Sequence, residues 1–368
     1  MVTKALQFRA PPALSIAEGA GAPNPGILGV SVWSTTLAKT VYWTGTAWTA
    51  GAAGATSPAG LDTSVQHNNG GAFGGAANVK IIGGNLNLAV ATPIAAPAST
   101  GTLFGKLLAG RFMVSVMGPS GLDSSLQASI ARNAVSFWKP VGNVTTAPSG
   151  GGYASLTVVG TATARIVAAT NFFTRQRRLG FVSAATVGAL AESRAALAQV
   201  TIGSGAGLGG FTKVVRFGIS DAAAVAGARM FVGMSSNTGA ATNVEPSTLT
   251  NSIGVGHGAA DTNLKLYFGG SAAQVPIDLG VNFPTNTLST DAYELALFAS
   301  PENGNVGYTV TRLNTGATVS GTLTAATAGL QLPLNTTLLS YHKAWRTNNA
   351  TALAVGLDMI SDYIETDN

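Results

Sequence analysis

Three histidines, at positions 67, 257 and 342, are the first residues to weigh for chemistry. A serine hydrolase sets a histidine between an activated serine and an orienting carboxylate. No G-x-S-x-G elbow is present, since Gly203-Ser204-Gly205 lacks its flanks. His257 and Asp261 could share a loop and a metal, but two ligands are too few for a site, and a loop hydrogen bond is the simpler account. Glycosidases need two carboxyl groups at a set separation. Asp291, Glu294 and Glu302 lie near one another in sequence, as do Asp358, Asp362, Glu365 and Asp367; acids on solvent faces and at a terminus explain both groups. The run Gly205-Ala206-Gly207-Leu208-Gly209-Gly210 satisfies G-x-G-x-x-G, a dinucleotide signature only when a helix follows. Here Phe211–Phe217 reads as a strand, which makes the run a turn. Arg175-Gln176-Arg177-Arg178, behind Phe172 and Phe173, could hold phosphates; a structural role beside an acidic neighbouring subunit fits it better. The richest stretch is Tyr341-His342-Lys343-Ala344-Trp345-Arg346-Thr347-Asn348-Asn349. Aromatic faces stack on sugar rings, and adjacent charged and amide groups bind hydroxyls. Tyr341, Trp345, Arg346 and Asn348 are therefore the candidate ligand-binding residues, with the alternative that Trp345 is core. No catalytic residue, metal site or cofactor is expected, and the chain reads as a non-enzyme.

Short β-rich runs must position these residues. Strands are expected near Val135–Trp138, Ala154–Val159, Ala164–Ala168, Phe211–Ile219, Arg229–Met234, Ile253–Gly256 and Leu264–Phe268. Others are expected near Tyr293–Phe298, Val306–Arg312, Thr318–Leu323, Thr337–Tyr341 and Leu353–Ile364. In the last, Leu353, Val355, Leu357 and Met359 share one face at period two, and Gly356 and Asp358 the other. Many short strands at such spacing predict a β-sandwich or barrel. Leu313-Asn314-Thr315-Gly316 reads as a hairpin turn. Ser183–Gln199 admits a helix instead, although Glu192 and Arg194, two apart, would not pair on one. Nearer the start, Val30–Ser34 and Thr40–Thr49 read as strands, with a hairpin turn at Thr44-Gly45. Residues 1–29 are turn-rich, and 51–101 are low in complexity, suited to a linker or shaft.

Composition narrows the setting. Of 368 residues only 10% are charged, 47 are glycine and none is cysteine, whereas soluble proteins carry roughly 25% charged residues and about 7% glycine. With a mean hydropathy of +0.31, a monomer would show water an unusually uncharged surface. A membrane helix does not resolve this, because the longest uncharged tracts are broken by Gly, Pro and Asn where about 20 apolar residues are needed. No basic-then-apolar leader precedes the body, so no secretory signal is expected. Burial between subunits is the better resolution. Charge is also uneven: residues 1–180 hold 12 basic and 3 acidic side chains, residues 181–368 hold 8 and 12. That division fits an elongated object with two different ends, or chance placement of sparse charges.

Two sets of residues resemble bacteriophage tail fibre proteins. Ser34-Thr35-Thr36 with Lys39 through Trp48 is similar to a segment frequent near the start of such fibres. Gly205–Phe211, Arg216–Ile219, Ile253–Gly256, Tyr293–Phe298, Val306–Tyr308 and Asp362–Asp367 are similar to fibre head domains. The resemblance covers residues 30–50 and 125–368. It implies a homotrimer on the virion that contacts other tail or baseplate proteins and a host surface polysaccharide, without nucleic-acid binding or membrane insertion. The expected fold is all-β: a jelly-roll-like β-sandwich head over residues 125–368, an attachment region over 1–56, and a glycine-rich linker or shaft over 57–124. Alternatives are a structural or capsid-decorating fibre, and a polysaccharide depolymerase, against which stands the lack of a β-helix repeat.

Overall fold

The computed structural model describes residues 13–14, 31–34, 39–43, 47–50, 64–69, 72–92, 100–118, 123–125, 134–146, 156–203, 209–301, 303–325 and 329–366. Contacts divide the chain into two units, 1–89 and 90–368. The second half of the segment expected as a shaft thus lies in the same unit as residues 125–368.

Among the described residues, the first unit holds two small sheets. Strands β1 (Ala13–Leu14), β2 (Ser31–Ser34), β3 (Lys39–Trp43) and β4 (Trp48–Ala50) pair in that order. Trp43 stands opposite Trp48 across the expected hairpin, and its turn at Thr44-Gly45 lies outside the described residues. Strands β5 (Ser64–Asn69), β6 (Ala72–Ile82) and β7 (Asn85–Leu88) form the second sheet.

The second unit is an all-β sandwich. It opens with a three-stranded sheet of β8 (Thr102–Leu108), β9 (Arg111–Met117) and β10 (Asp123–Ser125). One sandwich layer has eight strands. They are β13 (Thr161–Ala164), β14 (Leu179–Val182), β25 (Gly356–Thr366), β16 (Phe211–Ile219), β21 (Tyr293–Ala299), β22 (Val306–Arg312) and β23 (Ala317–Leu323), in that order, with β11 (Ala134–Trp138) also paired to β25. The facing layer has seven strands. Its order is β12 (Leu156–Val159), β15 (Leu190–Ala195), β24 (Ser340–Thr347), β17 (Arg229–Ser235), β18 (Ser252–His257), β19 (Lys265–Gly269) and β20 (Ile277–Asp278).

Period-two alternation builds the core between the layers. Val215, Phe217 and Ile219 of β16, Tyr293, Leu295 and Leu297 of β21, and Leu357 and Met359 of β25 meet Met230, Val232 and Met234 of β17 and Ile253 and Val255 of β18. At roughly 1.5–3 kcal/mol for each fully buried large apolar side chain, this layer is the main source of cohesion. The expected turn after Leu313 is present, with Gly316 at φ 76°. Ser183–Gln199 forms no helix; its centre is β15. Glu192 and Arg194 then lie on the same side of a strand and pair at 2.9 Å. The two-residue spacing that disfavours a helical pair is the spacing of same-face neighbours on a strand. The described helices are short: α1 (Phe172–Arg175), N-capped by Asn171, and a single 3-10 turn at Pro246–Thr248.

Candidate functional site

The outer face of the eight-stranded layer carries an open cleft. Glu365 on β25, Thr212 on β16, Phe298 on β21 and Gly307 on β22 stand opposite one another in successive strand pairs. They form one row across four strands. The turn between β8 and β9, with Ala109 at φ 50° and Gly110 at φ 85°, lies over this row. A Cβ on residue 307 would sit 1.9 Å from the Ala109 carbonyl oxygen, so glycine is what permits the approach. The Ala109 amide donates to Thr309 Oγ1 at 3.2 Å.

This docking delivers Arg111. Its guanidinium donates to Thr212 Oγ1 and pairs with Glu365 at 2.8 Å, and it lies 6.0 Å from the centre of the Phe298 ring. Tyr363 donates to Glu365 at 3.0 Å. Burial, then the Glu365 charge, push the Tyr363 phenol up to about 12, so it stays a donor. Arg111, Phe298, Glu365, Gly210, Pro301 and Thr366 are among the residues bounding about 200 Å³. That volume is below the roughly 300–1,000 Å³ of drug-sized pockets and suits a small group such as one sugar ring. The chemistry is an aromatic face beside a charged pair and hydroxyls. Sequence reasoning passed over Arg111 and Phe298, because they are 187 positions apart and meet only through strand pairing and the hairpin turn.

The four residues of the aromatic segment lie on or just after β24, in the middle of the other layer. Tyr341 is 5% exposed, Trp345 and Arg346 1%, and Asn348 0%. Tyr341 belongs to the inter-sheet core. Trp345 points to the opposite face, stacks on Phe231 with centroids 6.5 Å apart, and is covered by Ala241 and Leu249. A cavity of about 30 Å³ beside it has room for about one water. Arg346 pairs with buried Asp221 and donates to His257 Nε2 at 2.6 Å. Asn348 donates to the Thr186 and Leu353 carbonyls, each at 2.8 Å. In this structure the segment presents no open face.

His257 is held by its loop: Nδ1 donates to the Gly258 carbonyl at 3.1 Å, and Asp261 accepts from the Gly258 amide at 2.7 Å. With Arg346 donating to Nε2, the imidazole is neutral. Burial and the Arg346 charge push it down to about 3. Among the described residues no group of three metal-ligating side chains occurs, and no helix is long and apolar enough to cross a membrane. The expected acidic neighbour of the arginine run is the chain's own Asp358, bonded by Arg178 Nε at 2.9 Å.

The interior holds one further arrangement that the sequence did not announce. Ser193 on β15 donates to His342 Nε2 at 2.9 Å, and His342 Nδ1 donates to Asp362 of β25 at 2.5 Å. Lys213 on β16 pairs with the other Asp362 oxygen at 2.5 Å. The order serine–histidine–aspartate is that of a hydrolase triad. Yet all four side chains are buried between the layers, where a substrate carbonyl reaches Ser193 only if the sandwich opens.

No protein-family model matches the chain, and a search of curated proteins finds no match. Among solved structures, arcelin-5, a lectin-like defence protein from Phaseolus vulgaris, is similar at 9% identity and a TM-score of 0.39, with 64% of this chain and 98% of that chain covered. Lectin II from Ulex europaeus is similar at 11% identity and TM-score 0.39, covering 63% and 98%. A protein of unknown function from Shewanella oneidensis MR-1 gives 13% identity and TM-score 0.36, covering 66% and 90%. Likeness at this level identifies neither a family nor a ligand.

Proposed function

We propose that the chain is a bacteriophage tail fibre subunit whose C-terminal sandwich recognises a polysaccharide on the host surface and whose N-terminal region joins it to the virion. The observation that carries this reading is where the fibre-like stretches fall. Asp362–Thr366, Arg216–Ile219, Tyr293–Phe298 and Val306–Tyr308 lie on β25, β16, β21 and β22, four consecutive strands of one layer, while Ile253–Gly256 lies on β18 of the facing layer. The Arg111–Phe298–Glu365 cleft lies on those same strands. The cleft offers what a sugar ring requires, an aromatic face with a charged pair and hydroxyls at its edge. We place recognition there rather than on the enclosed aromatic segment, and read the protein as one that binds without cleaving.

Assembly as a homotrimer belongs to the same reading. Leu103, Leu107 and Phe112 are 48%, 56% and 40% exposed. Leu107 stands opposite Phe112 and Leu103 opposite Val116, so one face of the β8–β9 hairpin is apolar and open. The exposure of that apolar face supports the reading, as does the low charge of the chain. Weak sugar contacts multiplied over several heads give avidity without new contacts.

The test is binding of the full-length protein to a panel of purified bacterial surface polysaccharides, beside immunogold labelling of phage particles. Saturable binding to one polymer, lost in Phe298→Ala, is expected. Binding that survives Phe298→Ala places the site elsewhere. Labelled particles with no polysaccharide binding point to a structural fibre, and a fall in polymer size points to a depolymerase.

A further inference from the structure

The middle of a β-sandwich is an unusual place for a primary amine. Lys213 projects from the inner face of β16 with no exposed surface, its Nζ 2.5 Å from Asp362 Oδ1 and 5.8 Å from the centre of the Tyr341 ring. Strands β16 and β25 are direct neighbours, with Lys213 opposite Ile364 and Val215 opposite Asp362. The amine and the carboxyl therefore meet diagonally on one face, held together by the backbone ladder itself. From the facing layer, His342 places Nδ1 2.5 Å from Asp362 Oδ2, a carboxylate oxygen that can only accept and so makes Nδ1 the donor, and its Nε2 lies 2.9 Å from Ser193 Oγ. Burial penalises the charge of the amine. It pulls the Lys213 ammonium below its ordinary value, against the opposing pull of Asp362, which brings the uncharged amine within reach.

We propose that Lys213 and Asp362 condense to an intramolecular isopeptide bond, with His342 as the catalytic group at the Asp362 carboxyl. One proton passes from Nζ to Oδ1, leaving a neutral amine and a neutral acid. The nitrogen lone pair attacks Cγ, and the carbonyl electrons move onto Oδ2, where the Nδ1–H of His342 donates to the developing oxyanion. A second proton moves from nitrogen to Oδ1, the Cγ–Oδ1 bond breaks, and water departs. The Nζ–Cγ bond replaces the Cγ–Oδ1 bond, one water is released, and nothing is oxidised or reduced. Fixing two reactants in contact is worth an effective concentration on the order of 10⁵–10⁸ M, and the enclosed core disfavours the reverse attack by water. The link ties β16 to the last strand across 149 positions. It gives a chain with no cysteine the covalent staple that a disulfide gives other proteins.

The decisive measurement is the intact mass of the folded full-length protein, followed by tryptic digestion after denaturation. The expected mass is one water below that of the sequence. The expected digest contains Ala195–Arg216 joined to Thr347–Asn368, because trypsin does not cut after an acylated Lys213. Lys213→Arg should restore the full mass and the separate peptides, and His342→Ala should slow the loss of water at least tenfold. Wild-type protein at full mass, cut after Lys213, overturns the proposal without recourse to any variant. So does a missing water that maps outside these two peptides. A His342→Ala protein that crosslinks as fast as wild type overturns the part given to His342.

Discussion

Asp358→Ala is the most informative stability perturbation. Asp358 lies on the outer face of β25 and is fully buried. Its Oδ1 accepts from Arg165 Nε at 2.9 Å and from Ser220 Oγ at 2.5 Å, and its Oδ2 accepts from Arg178 Nε at 2.9 Å. Gly180, opposite on β14, leaves the room these groups occupy: a Cβ there would stand 2.7 Å from Asp358 Oδ1. Removing the carboxylate strands two guanidiniums unequally. The side chain of Arg178 is 8% exposed and that of Arg165 21%, so Arg165 can turn to water and Arg178 cannot. Arg178 keeps its bond to the Thr174 carbonyl at 3.1 Å and its place 4.7 Å from the Phe173 ring centre. Breaking one side of a buried ion pair costs about 3–5 kcal/mol, and these remaining contacts put the expected loss near the lower end. Arg165→Ala, which removes a partly solvated partner, should cost about 1 kcal/mol. Equilibrium urea unfolding of the full chain, followed by tryptophan fluorescence, reads both. An Asp358→Ala loss below about 1 kcal/mol, or an Arg165→Ala loss as large as that of Asp358→Ala, would refute the account of a carboxylate that neutralises a trapped Arg178.

Two other outcomes follow from the same geometry. His257 is held neutral, down to about 3 in the folded state against an ordinary value of 6.5. The unfolded chain therefore binds the extra proton first, and stability is lost as pH falls below 6.5 towards 3, by up to about 1.4 kcal/mol per pH unit. His257→Gln should flatten that acid limb between pH 6 and pH 4, and an unchanged slope in urea midpoints would remove His257 as its source. Gly307→Val should lift the β8–β9 turn off the sandwich, because its side chain would meet the Ala109 carbonyl. Amide exchange should accelerate in residues 102–117 while β17 and β24 stay protected, and equal protection in both proteins would show that the turn does not depend on this contact.

Much of the sandwich was legible because strand formation is a local matter. Phe211–Ile219 and Val306–Arg312 were read with the boundaries the structure shows, and Leu357 and Met359 took the core face that alternation assigns them, whereas Leu353, assigned to the same face, is exposed ahead of the strand and Val355 packs in a separate cluster. The Glu192–Arg194 spacing carried a strand signal within a segment that also admitted a helix. The ends of β24 were less legible: Thr337–Tyr341 was expected where Ser340–Thr347 forms. That strand is rich in Lys, His, Arg and Thr, and nothing local marks such residues as interior.

Local alternation and turn chemistry in the sequence thus determine that this is a protein of short strands with a packed core, and composition that it carries few charges. Only the tertiary structure decides which strands are neighbours and which polar groups go inside. Strand β24 has a strand on either side, the opposing layer on one face, and Ala241 and Leu249 on the other. Tyr341, Trp345, Arg346 and Asn348 are enclosed as a result. The Arg111–Glu365 pair at the cleft and the Lys213–Asp362 pair in the core join residues 254 and 149 positions apart. A charge goes inside when a partner waits there, and a partner that distant is placed by strand pairing, which local sequence pattern does not encode.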